Sequence, residues 1–205
     1  MDQFLQQIVN GISLGSIYAL IALGYTMIYG IIKLINFAHG DIYMIGAYIG
    51  FAATTYTNLG FFPALIIAMA GCTVLGVTIE KIAYRPLRNA SRIAVLITAI
   101  GMSFFLEYTM MFFVGAEVRS YPMILSKKTF NFGDILINIQ QIYIVLTAVA
   151  LMILLQFIVH KTKTGKAMRA VSVDKEAAQL MGINVNTTIS FTFAIGSAFA
   201  GAAGV

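Results

Sequence analysis

The chain reads as long apolar runs separated by short charged breaks, with little of the two- or three-residue alternation that marks the half-buried elements of a water-soluble fold. A membrane helix needs about 20 mostly apolar residues. Five complete runs of that kind lie at roughly 8–30, 34–57, 61–80, 93–114 and 141–159. A sixth begins near Thr187 and is still apolar at Val205, with no basic or aromatic exit closing it. The pattern predicts an all-α, polytopic bundle of five spans plus a cut-short sixth, forming one transmembrane domain over 1–205. The chain is expected to be a piece of a longer protein.

Composition supports this solvent assignment. Hydrophobic residues make up 60% of the chain and charged residues 10%, against roughly 25% charged in an ordinary soluble domain. The mean hydropathy is +0.88. Met1–Gln7 carries Asp2 and no basic residue, and the run behind it is longer than the apolar core of a signal peptide, so the first segment stays as a membrane helix. The net charge of +5 is not a nucleic-acid footprint, because the basic residues fall between apolar runs and form no stripe with stacking aromatics.

Those basic residues orient the chain. Lys81, Arg85, Arg88 and Arg92 fall in one break, and Lys161, Lys163, Lys166, Arg169 and Lys175 in the long break at 160–186, so both are expected on the cytoplasmic side. The 115–140 loop is then external, its Arg119, Lys127 and Lys128 partly offset by Glu117 and Asp134. The N-terminus is external if 34–57 crosses the membrane, and internal if that segment is re-entrant, as its polar start Asn36-Phe37-Ala38-His39-Gly40-Asp41 allows. Gly11 with Gly15, Gly46 with Gly50, and the small residues Ala194, Ser197, Ala198 and Gly201 predict close helix contacts.

Several motifs fail on context. Gly11-Ile12-Ser13-Leu14-Gly15 fits a hydrolase elbow but opens a membrane helix instead of a strand–turn–helix. Gly165-Lys166 lacks the first glycine and the Ser or Thr of a phosphate loop, so ATP is not bound here in that way. Asn89-Ala90-Ser91 and Asn186-Thr187-Thr188 are glycosylation sequons on the wrong side. His39 and His160 have no further His or Cys at ligand spacing, so no metal site is expected, and Cys72 reads as a small core residue. No catalytic pair points to an enzyme.

Ionisable groups inside a membrane are costly and mark candidate function. Glu107 lies mid-run, and either lines a path or packs as a neutral carboxyl. Asn36, His39 and Asp41 begin the second run, where an interrupted helix can present backbone dipoles to a polar ligand or form an interfacial cap. The 160–186 loop is more specific. Asp174 is a cap, Glu176 suits the first turn and Gly182 is a stop, predicting a helix over about 175–181 with Ala177, Leu180 and Met181 as a small apolar face.

Glu176-Ala177-Ala178 followed by Gly182 resembles the cytoplasmic loop of bacterial ABC-importer permeases. With Thr164-Gly165-Lys166-Ala167-Met168-Arg169-Ala170, Gly182-Ile183-Asn184, Tyr18-Ala19-Leu20-Ile21-Ala22-Leu23-Gly24 and Asn36-Phe37-Ala38-His39-Gly40, it is similar to branched-chain amino acid permeases of the LivH type. The resemblance implies a multi-pass subunit of the bacterial inner membrane, with no cofactor of its own. It implies a homologous second permease, two ATP-binding subunits that carry the ATP, and an extracytoplasmic substrate-binding protein, besides membrane lipid. Glu176, Ala177, Ala178, Leu180, Met181 and Gly182 would couple to the ATPase. Related permeases are similar to carriers of urea and short amides, so the cargo stays open between those and leucine, isoleucine or valine. A passive channel is the rival from another class; it would not need the docking helix.

Overall fold

The computed structural model describes residues 2–33, 35–88, 90–121, 129–132 and 135–205. Leu34, Asn89, Lys127, Lys128 and Asp134 lie outside the described residues.

The described chain is mostly helical: α1 (Asp2–Ile32), α2 (His39–Thr57), α3 (Phe61–Ile79), α4 (Arg92–Val114), α5 (Ile139–Lys161), α6 (Lys163–Val173), α7 (Lys175–Leu180) and α8 (Val185–Ala203). Four helical segments are long and apolar enough to cross a membrane, namely Gln3–Ile32, Phe61–Tyr84, Ile93–Val114 and Ile139–Lys161. Their apolar residues are not confined to one face, as suits a helix in a lipid solvent, although Glu107 interrupts the surface of α4. Phe112 and Phe113 on α4 stand 83% and 78% exposed, a large apolar surface that only a bilayer or another subunit would cover. The helices α2 and α8, of 19 residues each, fall outside that set of four.

The expectation of an all-α chain needs one correction. β1 (Thr129–Phe132) pairs antiparallel with β2 (Ile135–Asn138), Phe130 opposite Ile137, within the segment read as an irregular loop. The aromatic and β-branched residues of both strands suit a pleated ribbon. Its free edge is closed by a side chain: Gln6 of α1 donates to the Leu136 carbonyl at 3.0 Å and accepts from the Leu136 amide at 2.8 Å. Asn138 then caps α5 in a reciprocal box with Gln141, which donates to Asn10 at 2.9 Å. These bonds put the first turns of α1 and α5 at one end of the bundle.

The core forms where α8 packs against α1, α2 and α3. A Cβ on Gly24 would stand 2.7 Å from the Gly196 carbonyl, and one on Gly46 would stand 2.7 Å from Gly201 Cα. Ser197 fills the notch left by Gly76. The small-residue face of α8 thus lets three backbones approach it. Gly11 and Gly15 differ, since an added Cβ at either meets nothing within 4 Å, and their GxxxG spacing makes no close contact among the described residues. Cys72 is buried in this core with its thiol 3.4 Å from the Ile42 carbonyl.

Candidate functional site

The two basic breaks meet at the opposite end of the bundle from the hairpin. Arg85 and Arg88 share a polar cleft of about 790 Å³ with Lys175, Glu176, Gln179 and Asn186. Thr162 caps α6, its hydroxyl accepting from the Gly165 amide at 3.0 Å. The chain then turns at Asp174, whose carboxylate accepts from the amides of Glu176 and Ala177 at 2.9 and 3.0 Å. Gly182, at φ +81°, ends α7, and the Ile183 amide returns to the Ala178 carbonyl at 3.0 Å. The capped helix therefore stands where the charge pattern put it, one residue shorter, with Met181 as its cap.

Its orientation was not legible. Ala178 is the residue buried against the bundle, and at 3.6 residues per turn Leu180 points roughly 200° away from it. Leu180 is 88% exposed and Met181 82%, with Ala177 and Glu176 also on the open side. The apolar face exists but is presented outward. Lys175, beside it, has its ammonium pKa lowered, first by burial and then by the positive charge of Arg88.

A buried carboxylate that the sequence reading passed over lies just above the cleft. After α3 the backbone takes a π turn over Glu80–Tyr84, the Arg85 amide reaching five residues back to the Glu80 carbonyl at 2.7 Å. Such one-turn insertions often sit at functional positions. Glu80 is fully buried. It pairs with Arg88 and accepts from the Ser190 hydroxyl at 2.6 Å, while Arg88 donates to Asn186 at 2.5 Å. Tyr84, on the same turn, donates to Asn36 Oδ1 at 2.7 Å and packs on Phe193 with ring centroids 5.4 Å apart.

The four residues singled out for a path fall into two pairs. Asn36 and His39 are buried among α1, α8 and the π turn: His39 Nε2 lies 3.3 Å from the Ile21 carbonyl, and its ring meets the edge of Tyr25 at 5.9 Å. Asp41, two residues on, turns the other way, toward Ser103 and Glu107 of α4. Glu107 is exposed on α4. Asn36 Nδ2, His39 Nδ1 and Asp41 Oδ2 are buried atoms without a hydrogen-bond partner among the described residues. At the hairpin end, a shallower cavity of about 310 Å³ is lined by Phe51, Glu117, Arg119 and Tyr121. The apolar groove between α1 and α5, about 570 Å³, contains no ionisable side chain and offers no chemistry.

A family model described as "branched-chain amino acid transport system / permease component" matches residues 7–205. The chain is 41% identical to the high-affinity branched-chain amino acid transport system permease protein BraD of Pseudomonas aeruginosa, over 98% of this chain and 70% of that protein. It is 42% identical to the corresponding LivH proteins of Escherichia coli and Salmonella typhimurium with the same coverage. No solved structure matches the chain.

Proposed function

This chain belongs to the family of branched-chain amino acid transport permeases, and on that premise we propose that it forms the membrane path by which an ABC importer takes up leucine, isoleucine or valine. It is a transport component of the inner membrane, not an enzyme. It works beside a homologous second permease, with ATP on two partner subunits and cargo delivered by an extracytoplasmic binding protein. Residues 1–205 act as one transmembrane domain, in which α2 and α8 join the four apolar spans to give six membrane segments. The contacts of Gln6 with the hairpin support an external N-terminus, and the shared cleft of Arg88 and Lys175 supports placing both basic loops in the cytoplasm.

The observation that carries the proposal is α7. A six-residue helix capped at both ends, standing between two membrane segments and holding Leu180 and Met181 outward, is shaped to enter a cleft on another protein. Glu176, Ala177, Ala178 and Gly182 set its pitch and its stop. ATP binding shifts the transporter only by its different affinity for the two states, and a rigid helix docked on the ATPase conveys that difference as a body movement. Asn36, His39, Asp41 and Glu107 are the groups proposed to face the cargo.

The test is to purify the complete chain with its second permease, ATPases and binding protein, then measure ATP hydrolysis against leucine, valine and urea. Stimulation by leucine and valine is expected. Stimulation by urea alone refutes the cargo, and flux through the permease without ATP refutes the importer.

A further inference from the structure

Glu80 has no part in the path proposed above, yet it is the most completely buried charge in the described bundle. A carboxylate in an apolar interior must be paired and hydrogen-bonded to persist, and here both oxygens are held, one by Arg88 and the other by Ser190. An apolar pair of the same volume would join α3 to α8 without the desolvation cost. What the ionic arrangement adds is a fixed register between the two elements.

Its partners come from distinct parts of the chain. Glu80 opens the π turn, Arg88 lies in the basic loop, and Asn186 and Ser190 are four residues apart on one face of α8. That face starts four residues beyond Gly182, and the Ile183–Ala178 bond ties the short connection between α7 and α8 back onto α7. On the other side, Tyr84 carries the same turn to Asn36 and so to the start of α2. The bonds form one continuous path from the exposed helix to the buried polar residues.

We infer that Glu80 is a positioning residue for transport: through Arg88, Asn186 and Ser190 it makes the start of α8 and the π turn move as one body, so that displacement of α7 reaches Asn36 and His39. The inference rests on the proposed importer function. It is tested in the complete transporter in proteoliposomes, by measuring leucine imported per ATP hydrolysed for Glu80→Gln, Ser190→Ala and Asn186→Ala. Energetic coupling between sites commonly amounts to about 5–150-fold. Glu80→Gln is expected to lower leucine per ATP by about tenfold while ATP hydrolysis continues, and the two α8 variants by about threefold each. A merely structural role would lower assembled complex and leave the ratio unchanged. Should Glu80→Gln fail to assemble, the α8 variants decide, since each removes one hydrogen bond and leaves the ion pair intact. Wild-type stoichiometry in all variants that assemble overturns the inference. A wild-type transporter whose ATP hydrolysis ignores leucine, valine and urea alike refutes the functional reading, and this inference with it.

Discussion

Replacing Leu180 with serine separates docking from folding, because the side chain is 88% exposed and makes almost no contact within its own chain. Exposed substitutions of this kind change folding stability by about 0.5 kcal/mol or less. If α7 enters a cleft on the ATPase, the same side chain is buried there, and fully burying a leucine is worth about 1.5–3 kcal/mol. At about 1.4 kcal/mol per factor of ten, Leu180→Ser weakens docking by about 10–150-fold. Met181, 82% exposed, has a similar effect. The double variant exceeds either single one without reaching the sum, since interface energies concentrate in a few residues and are not additive. The assay is titration of the ATP-binding subunit onto the permease pair held in nanodiscs, with the melting temperature of the permease recorded in parallel. A Kd within twofold of the unmodified protein, at unchanged melting temperature, refutes the docking role of α7.

Four further outcomes follow from the structure. Gly201→Val places atoms where a Cβ already stands 2.8 Å from the Ala68 carbonyl and 2.9 Å from Cys72, so it costs about 1–3 kcal/mol and lowers the melting temperature. Gly11→Ala, in open space on α1, is neutral or stabilises by about 0.5–1 kcal/mol in the same measurement. Asp174→Ala removes both cap bonds of α7 and costs about 1 kcal/mol of local stability, seen as faster hydrogen exchange at the Glu176 and Ala177 amides. Burial raises the Tyr121 phenol to about 12, so the folded protein keeps a proton that the unfolded chain releases near pH 10. Its stabilising contribution is intact below pH 10 and is lost as pH rises through about 12; the ultraviolet titration difference between wild type and Tyr121→Phe should show one phenol near pH 12, and a step near 10 refutes this.

Local chemistry was legible in the sequence and partnership was not. Asp174 and Gly182 mark the ends of α7 because a cap and a stop act within a few residues. Which side of that helix faces home depends on residues far along the chain, and Ala178, not the Ala177–Leu180–Met181 face, was buried. The same limit explains the glycines. Gly11-x-x-x-Gly15 and Gly46-x-x-x-Gly50 are identical as patterns, yet only the second pair meets close neighbours, Gly46 against Gly201 and Gly50 against Val205 and Tyr121. The hairpin was missed because its strands are four residues each, too short for an alternation to stand out. Glu80 was missed because it ends an apolar run beside Lys81 and reads as an interfacial charge. Ser190, its partner, is 110 residues away. An acidic residue closing an otherwise uncharged run, with a basic residue two turns later, was the available signal.

Satisfaction of hydrogen bonds also sorts the buried polar residues by role. A buried donor or acceptor left unpaired costs about 1–3 kcal/mol, so such an atom is open to a partner from outside the described residues, whereas Ser197, also unpaired, fills the packing notch at Gly76. Both oxygens of Glu80 are paired, and a fully paired network resists rearrangement and fixes one packing. Asn36, His39 and Asp41 each keep one buried atom unpaired among the described residues. A zwitterionic amino acid brings an ammonium and a carboxylate that must themselves be desolvated on crossing, and open donors and acceptors offset that cost where paired ones cannot. On this reasoning the rule that any intramembrane ionisable residue marks the path is too coarse: Glu80, with both oxygens paired, fits the proposed transmission, and Asn36, with its Oδ1 bound to Tyr84 and its Nδ2 open, is the residue proposed to join that network to the path.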